Sequence, residues 1–182
     1  DGLAAGIAFI CCLTFSIVSV LTGNGSLAMI FALLAGSVLG FLKYNFPIAK
    51  VYMGNAGSHF LGFVLSTLSI MISYAPFEKK IALFVPLVIL GVPIFDTLFV
   101  MWMPILKRQY DWAKSDDHLA LRLIARGHAK RKTVICMFLF AFIFSVCAVA
   151  LLETSAPQCY IYLLALMTLC FVLAHRMRNV VS

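Results

Sequence analysis

The sequence predicts an all-α fold: a polytopic transmembrane bundle of about six membrane-spanning helices, with a long loop on the cytoplasmic side. Three observations predict it. Hydrophobic residues make up 63% of the 182 residues, charged residues only 12%, and the mean hydropathy is +1.04. A soluble domain is roughly half apolar and a quarter charged, so no water-facing fold hides this much apolar surface. Apolar runs of near-spanning length recur along the whole chain, and Lys and Arg cluster in alternate connections between them.

Each element follows in order. Crossing a bilayer takes about 20 apolar residues, within a range of roughly 17–25. Segments 3–22, 26–42, 58–75, 81–103, 133–152 and 159–175 meet or approach that length. Glycine, alanine and serine dispersed through the first three suit close helix packing in lipid. The second and sixth are the shortest, and a re-entrant hairpin is the alternative for 26–42. Pro86 and Pro93 interrupt the fourth, where a kink or an unwound turn is expected. The six cysteines show no CxxC or Cys/His metal spacing and read as small buried hydrophobes.

With residue 1 on the cytoplasmic side, six crossings place loops 43–57 and 104–132 and the tail 176–182 on that side. Those stretches hold 12 of the 14 Lys and Arg residues, with only Lys79 and Lys80 elsewhere. The positive-inside rule therefore supports both span count and orientation. It also accounts for the formal charge of +7 without nucleic acid, since no aromatic–basic interleaving occurs. No basic n-region precedes the first run, so no signal peptide is expected. With no initiator methionine, residues 1–182 read as a single membrane domain forming the C-terminal portion of a larger protein. The orientation gathers the polar chemistry at the cytoplasmic boundary, which disfavours a transporter with its site near the midplane.

Three features there could carry chemistry. In the stretch MGNAGSHF, Gly54 and Gly57 flank Asn55-Ala56 just before an apolar run that begins at Ser58. Such a turn either exposes backbone N–H groups to an anion at a helix start or is simply a turn capped by Ser58. Residues 107–132 hold eight basic residues, three acids and two histidines. They form either a solvated loop or, through His118, Arg122 and Arg126 at i, i+4 and i+8, one helical face suited to a diphosphate. His59, His128 and His175 read as interfacial or solvated. Asp96 follows Pro93 inside an apolar span, where an acid is either functional, paired, or capping a broken helix.

Taken in order, DGLAAG, YNFPIAKVYMGNAGSHFLGF, VPIFDTL and DDHLALRL resemble the C-terminal half of the polyprenyl-phosphate N-acetylhexosamine-1-phosphate transferases. That superfamily contains the phospho-MurNAc-pentapeptide translocases and undecaprenyl-phosphate GlcNAc-1-phosphate transferases. The resemblance implies an enzyme of the bacterial or archaeal cytoplasmic membrane with a cytoplasmic active face. It would move a sugar-1-phosphate from a UDP-sugar to undecaprenyl or another polyprenyl phosphate, releasing UMP. Peptidoglycan and lipopolysaccharide synthesis are the pathways such enzymes serve. Its cofactor would be Mg²⁺ or Mn²⁺, its setting the lipid bilayer, and a homodimer is an expected assembly.

Carried over position by position, the resemblance makes Asp1, Asn55 and His118 the expected catalytic set, with Asn55 and Asp1 as the expected metal ligands. The expected substrate-binding set, drawn from the glycine stretch and the basic loop, is Asn45, Lys50, Gly54, Gly57, Ser58, Asp117, Arg122 and Arg126, of which Arg122 matches the family's arginine. Asp96 matches an acid that commonly follows the VP-type turn. The chain also departs from the pattern. Asn55 stands where an aspartate is usual, Ala120 and Leu121 stand where two further histidines are usual, and an aspartate pair would precede residue 1. The alternative is a catalytically degenerate relative that binds nucleotide sugar or lipid phosphate.

Overall fold

The structure is a computed structural model that describes residues 2–72, 84–107, 118–154 and 156–178. These form eight helices: α1 Leu3–Leu21, α2 Gly25–Asn45, α3 Gly54–Met71, α4 Val85–Ile89, α5 Gly91–Lys107, α6 Leu119–Ala125, α7 Lys130–Glu153 and α8 Ala156–Arg178. No strand occurs among the described residues. The all-α expectation holds. Four helices, α1, α2, α7 and α8, are long and apolar enough to cross a membrane. The protein is a multi-pass membrane protein.

Two helices organise the rest. α1 packs on α2, α3, α4 and α7, while α7 packs on α1, α4, α5, α6 and α8. The small residues of α1 permit this closeness. A Cβ placed on Gly6 would run into the ring of Phe138 from α7, and Ala5 and Ala8 are buried beside it. On the opposite face of α1, Phe15 stacks on Phe31 of α2 with ring centroids 5.1 Å apart, and Ser16 donates to the Ala28 carbonyl. Burial grades outward from this centre: 56% of the spanning window of α1 is buried, against 11% for α8. The largely apolar α8 thus turns most of its surface away from the protein, as suits a helix facing lipid.

The interruption expected near Pro86 and Pro93 is present, and other expectations need correction. The fourth apolar run is two helices, α4 and α5, separated at Leu90. The hydrogen-bond ladder continues across the join, with Leu90 N–H bonded to Pro86 O at 3.0 Å and Ile94 N–H to Leu90 O at 3.1 Å. Pro93 has no N–H for the Ile89 carbonyl; the thiol of Cys11 donates to that oxygen instead, at 3.4 Å. Cys11 is therefore more than a space-filler, and Cys136 is exposed, unlike the buried Cys11, Cys12 and Cys159. The re-entrant alternative for 26–42 gives way to one continuous helix of 21 residues. The expected loop 43–57 shrinks to 46–53, because α2 runs on to Asn45 and α3 already begins at Gly54. Residues 73–75 of the third expected span and 81–83 of the fourth lie outside the described residues.

Candidate functional site at the polar end of an apolar cavity

A cavity of about 880 Å³ lies between α1, α3, α5, α6 and α7. Most of its wall is apolar, with Ile7, Leu61, Leu65, Val134 and Met137 typical of it. Its polar lining comprises Ser58 of α3, Asp96 and Thr97 of α5, His118, and Lys130 and Thr133 of α7. Thr133 is 2% exposed and its hydroxyl oxygen has no hydrogen-bond partner among the described residues. Gly62 also lines the wall, and a Cβ placed there would meet no atom within 4 Å.

Asp96 is the organising group. One carboxylate oxygen, Oδ2, lies 2.8 Å from His118 Nδ1, and the other, Oδ1, accepts the Leu119 N–H at 2.8 Å. The second bond satisfies one of the unpaired N–H groups at the start of α6. A carboxylate only accepts, so the imidazole donates from Nδ1 and leaves Nε2 for other partners. The His118 side chain is 52% exposed and that of Asp96 22%, so the pair sits at an accessible rim. Pro93 and the broken helix place Asp96 one turn into α5, facing the start of α6. Asp96 thus caps a helix, though a different one from the broken span that contains it.

The glycine stretch is helical rather than a turn ahead of a helix. Gly54 enters α3 with φ 65°, a left-handed conformation that favours glycine, and Asn55 and Gly57 lie in the first turn. Asn55 is exposed there, and α3 starts with no side-chain cap. Ser58 is not that cap: its hydroxyl donates backwards to the Asn55 carbonyl at 3.0 Å. The first-turn N–H groups of α3 are therefore not taken by a capping side chain.

Asn45 is 6% exposed and acts as a clasp. Its Oδ1 accepts the Gly2 N–H at 2.8 Å and its Nδ2 donates to the Val51 carbonyl at 2.7 Å. It joins the residue after Asp1 to the segment leading into Asn55. Gly2 cannot be replaced easily, since its φ is 73° and a Cβ would sit 2.7 Å from Phe46. Lys50 is exposed, with its backbone N–H on the Tyr44 carbonyl at 2.8 Å. Asp1 and Asp117 lie outside the described residues.

The expected face of one imidazole and two guanidiniums is divided. His118 turns to Asp96, whereas Arg122 and Arg126 donate to the backbone carbonyls of Met177 and Arg176 in α8. Ala120, at one of the positions where a further histidine was expected, is buried, while Leu121 at the other is exposed; both line the cavity. Lys130 and Thr133 were not singled out from sequence. In an apolar helix no spacing marks a threonine as cavity-lining, and the positive-inside pattern accounts for Lys130 without a site.

Residues 1–73 fit the profile of glycosyl transferase family 4. The chain is 40% identical over 154 residues to the "Probable undecaprenyl-phosphate N-acetylglucosaminyl 1-phosphate transferase" of Bacillus subtilis (strain 168), covering 83% of this chain and 42% of that protein. The chain belongs to this transferase family. It is also 30% identical over 158 residues to the phospho-N-acetylmuramoyl-pentapeptide-transferase of Caldicellulosiruptor bescii, covering 84% of this chain and 46% of that protein. The decaprenyl-phosphate N-acetylglucosaminephosphotransferase of Mycobacterium leprae is 32% identical over 158 residues, covering 77% and 40% respectively. The chain thus spans less than half the length of these relatives. No solved structure matches.

Proposed function

We propose that the protein containing this chain transfers an N-acetylhexosamine-type sugar-1-phosphate from a UDP-sugar to a polyprenyl phosphate at the cytoplasmic membrane face, releasing UMP, in envelope polysaccharide synthesis. The observation that carries this proposal is the cavity: a mostly apolar wall that also carries Ser58, the Asp96–His118 pair, Lys130 and Thr133. An isoprenoid chain fits the apolar lining by burial of apolar area. Its phosphate suits the polar groups, where Lys130 supplies a cation and Thr133 a hydroxyl unpartnered among the described residues. The family relationship gives the chemical class.

Phosphoryl transfer asks mainly for positioning and charge stabilisation. His118, oriented through Nδ1 by Asp96, presents Nε2 to a phosphate oxygen or to a proton in transit. The uncapped first turn of α3 adds backbone N–H groups for a donor phosphate. Asp1 and Asn55 would hold a divalent cation, which neutralises diphosphate charge when bound. Such an ion needs only one or two protein oxygens, the rest being water and substrate phosphate. The exposed Asn55 amide fits that demand, and the Asn45 clasp supports a shared task with Asp1.

The direct test follows UMP release by full-length protein given Mg²⁺, undecaprenyl phosphate and a panel of UDP-sugars. A folded protein with no turnover on any donor would sink the transferase proposal in favour of a binding protein. Two substitutions then probe the polar and apolar lining of the cavity separately. Lys130→Met should raise KM for polyprenyl phosphate roughly tenfold, as loss of one charge-assisted contact implies. Gly62→Leu projects into open space and should weaken long-chain acceptors more than short ones. Equal effects on all chain lengths would place the isoprenoid elsewhere.

A further inference from the structure

α6 has seven residues, too few to persist as a helix without tertiary support. Its start is held by the Asp96 carboxylate. Its body is held by two arginines. Arg122 is 0% exposed, donates from Nη1 to the Met177 carbonyl, and stands 5.4 Å from the ring centroid of Phe99 in α5. Arg126 donates from Nη2 to the Arg176 carbonyl. Both carbonyls belong to the last turn of α8, where a helix leaves C=O groups unpaired and carries the negative end of its dipole. Guanidiniums near a helix carboxyl end satisfy such groups. A buried cation left without partners is costly, so these bonds and the ring beneath Arg122 define where it sits.

The same residue reaches the catalytic rim through its backbone. Arg122 N–H bonds the His118 carbonyl at 3.1 Å, closing the first turn of α6, and Arg126 N–H bonds the Arg122 carbonyl at 3.2 Å. One continuous set of bonds runs from the carboxyl end of α8, through Arg122, to the backbone of His118. We infer that Arg122, assisted by Arg126, is a positioning latch that clips α6 to the carboxyl end of α8 and so holds His118 against Asp96. In this role each guanidinium serves a carbonyl of α8. The functional half of this inference rests on the transferase proposal; the structural half does not.

Two measurements on the full-length protein in lipid nanodiscs test it. In hydrogen exchange, Arg122→Met should speed the α6 amides about tenfold or more, with α1 and α7 amides unchanged. In UMP-release kinetics the same variant should lower kcat while leaving donor KM within about twofold. Arg122→Lys keeps the charge but loses the planar fork, and should not rescue kcat. In a His118→Ala background, Arg122→Met should change kcat little further, because the two act in series. Unchanged α6 exchange would overturn the latch, as would a raised donor KM that Arg122→Lys restores. Should Arg122→Met fail to fold, Phe99→Leu keeps both arginines and removes only the ring; it must loosen α6 in the same direction, and protection equal to wild type overturns the inference. Absence of turnover in the unaltered protein would defeat the transferase proposal alone, since the exchange result still decides the latch.

Discussion

Asp96→Asn is expected to lower kcat by roughly 10²–10⁴-fold, the range lost when a positioned acid–base group is disabled, while leaving the melting temperature nearly unchanged. The asparagine oxygen can still accept the Leu119 N–H, so the start of α6 stays capped. The amide nitrogen then faces His118 Nδ1 and donates to it, which moves the imidazole proton to Nε2 and reverses what the ring offers the cavity. Asp96→Ala removes both bonds. It should lose the same activity and, in addition, about 1 kcal/mol of local stability from the missing cap. Comparing the two separates capping from orientation, which a single substitution cannot do. His118→Ala should match Asp96→Asn in kcat, and the double variant should be no worse than either alone. The measurements are kcat at saturating donor and acceptor and a thermal melt in the same detergent. Wild-type kcat in Asp96→Asn would show that Asp96 only caps α6, and the proposed role of the pair would be lost.

That pair illustrates what the sequence made legible. Asp96 was conspicuous because a lone acid in an apolar run is expensive, and His118 because it precedes a basic helical face. Nothing local pairs them: they are 22 residues apart, on different helices, and meet because Pro93 and the break at Leu90 aim α5 toward α6. The helical class was legible from hydropathy alone, since lipid demands satisfied backbones and long apolar runs, and four of the six expected crossings are helices long and apolar enough to span. Helix ends were not. Gly54 and Asn55 read as a turn because glycine and asparagine favour turns, yet φ > 0 at Gly54 serves equally to enter a helix. The partners of the arginines were hidden for a different physical reason. Helical spacing puts His118, Arg122 and Arg126 near one face, but the carboxyl end of α8, distant in sequence, competes for guanidiniums more effectively than spacing can reveal.

Asn55→Asp should reduce the Mg²⁺ concentration needed for half-maximal UMP release by about tenfold or more, which requires only ~1.4 kcal/mol of added affinity. Magnesium takes hard oxygen donors, and a carboxylate adds charge that an amide oxygen lacks. The position tolerates the change: Asn55 is exposed, in the first turn of α3, with no side-chain cap nearby. A negative charge in a first turn also meets the positive end of the helix dipole, contributing about 0.3–1 kcal/mol to stability. The melting temperature should therefore hold or rise slightly, so a change in metal dependence cannot be ascribed to misfolding. The competing effect is repulsion between the new carboxylate and the donor diphosphate when no cation is present. It predicts that activity at low Mg²⁺ becomes steeper in metal without any loss at saturation. Both consequences follow only if residue 55 lies in the shell of the cation. A raised melting temperature with an unaltered Mg²⁺ curve would mean that Asn55 serves the helix start alone, and the cation would have to be held by other groups.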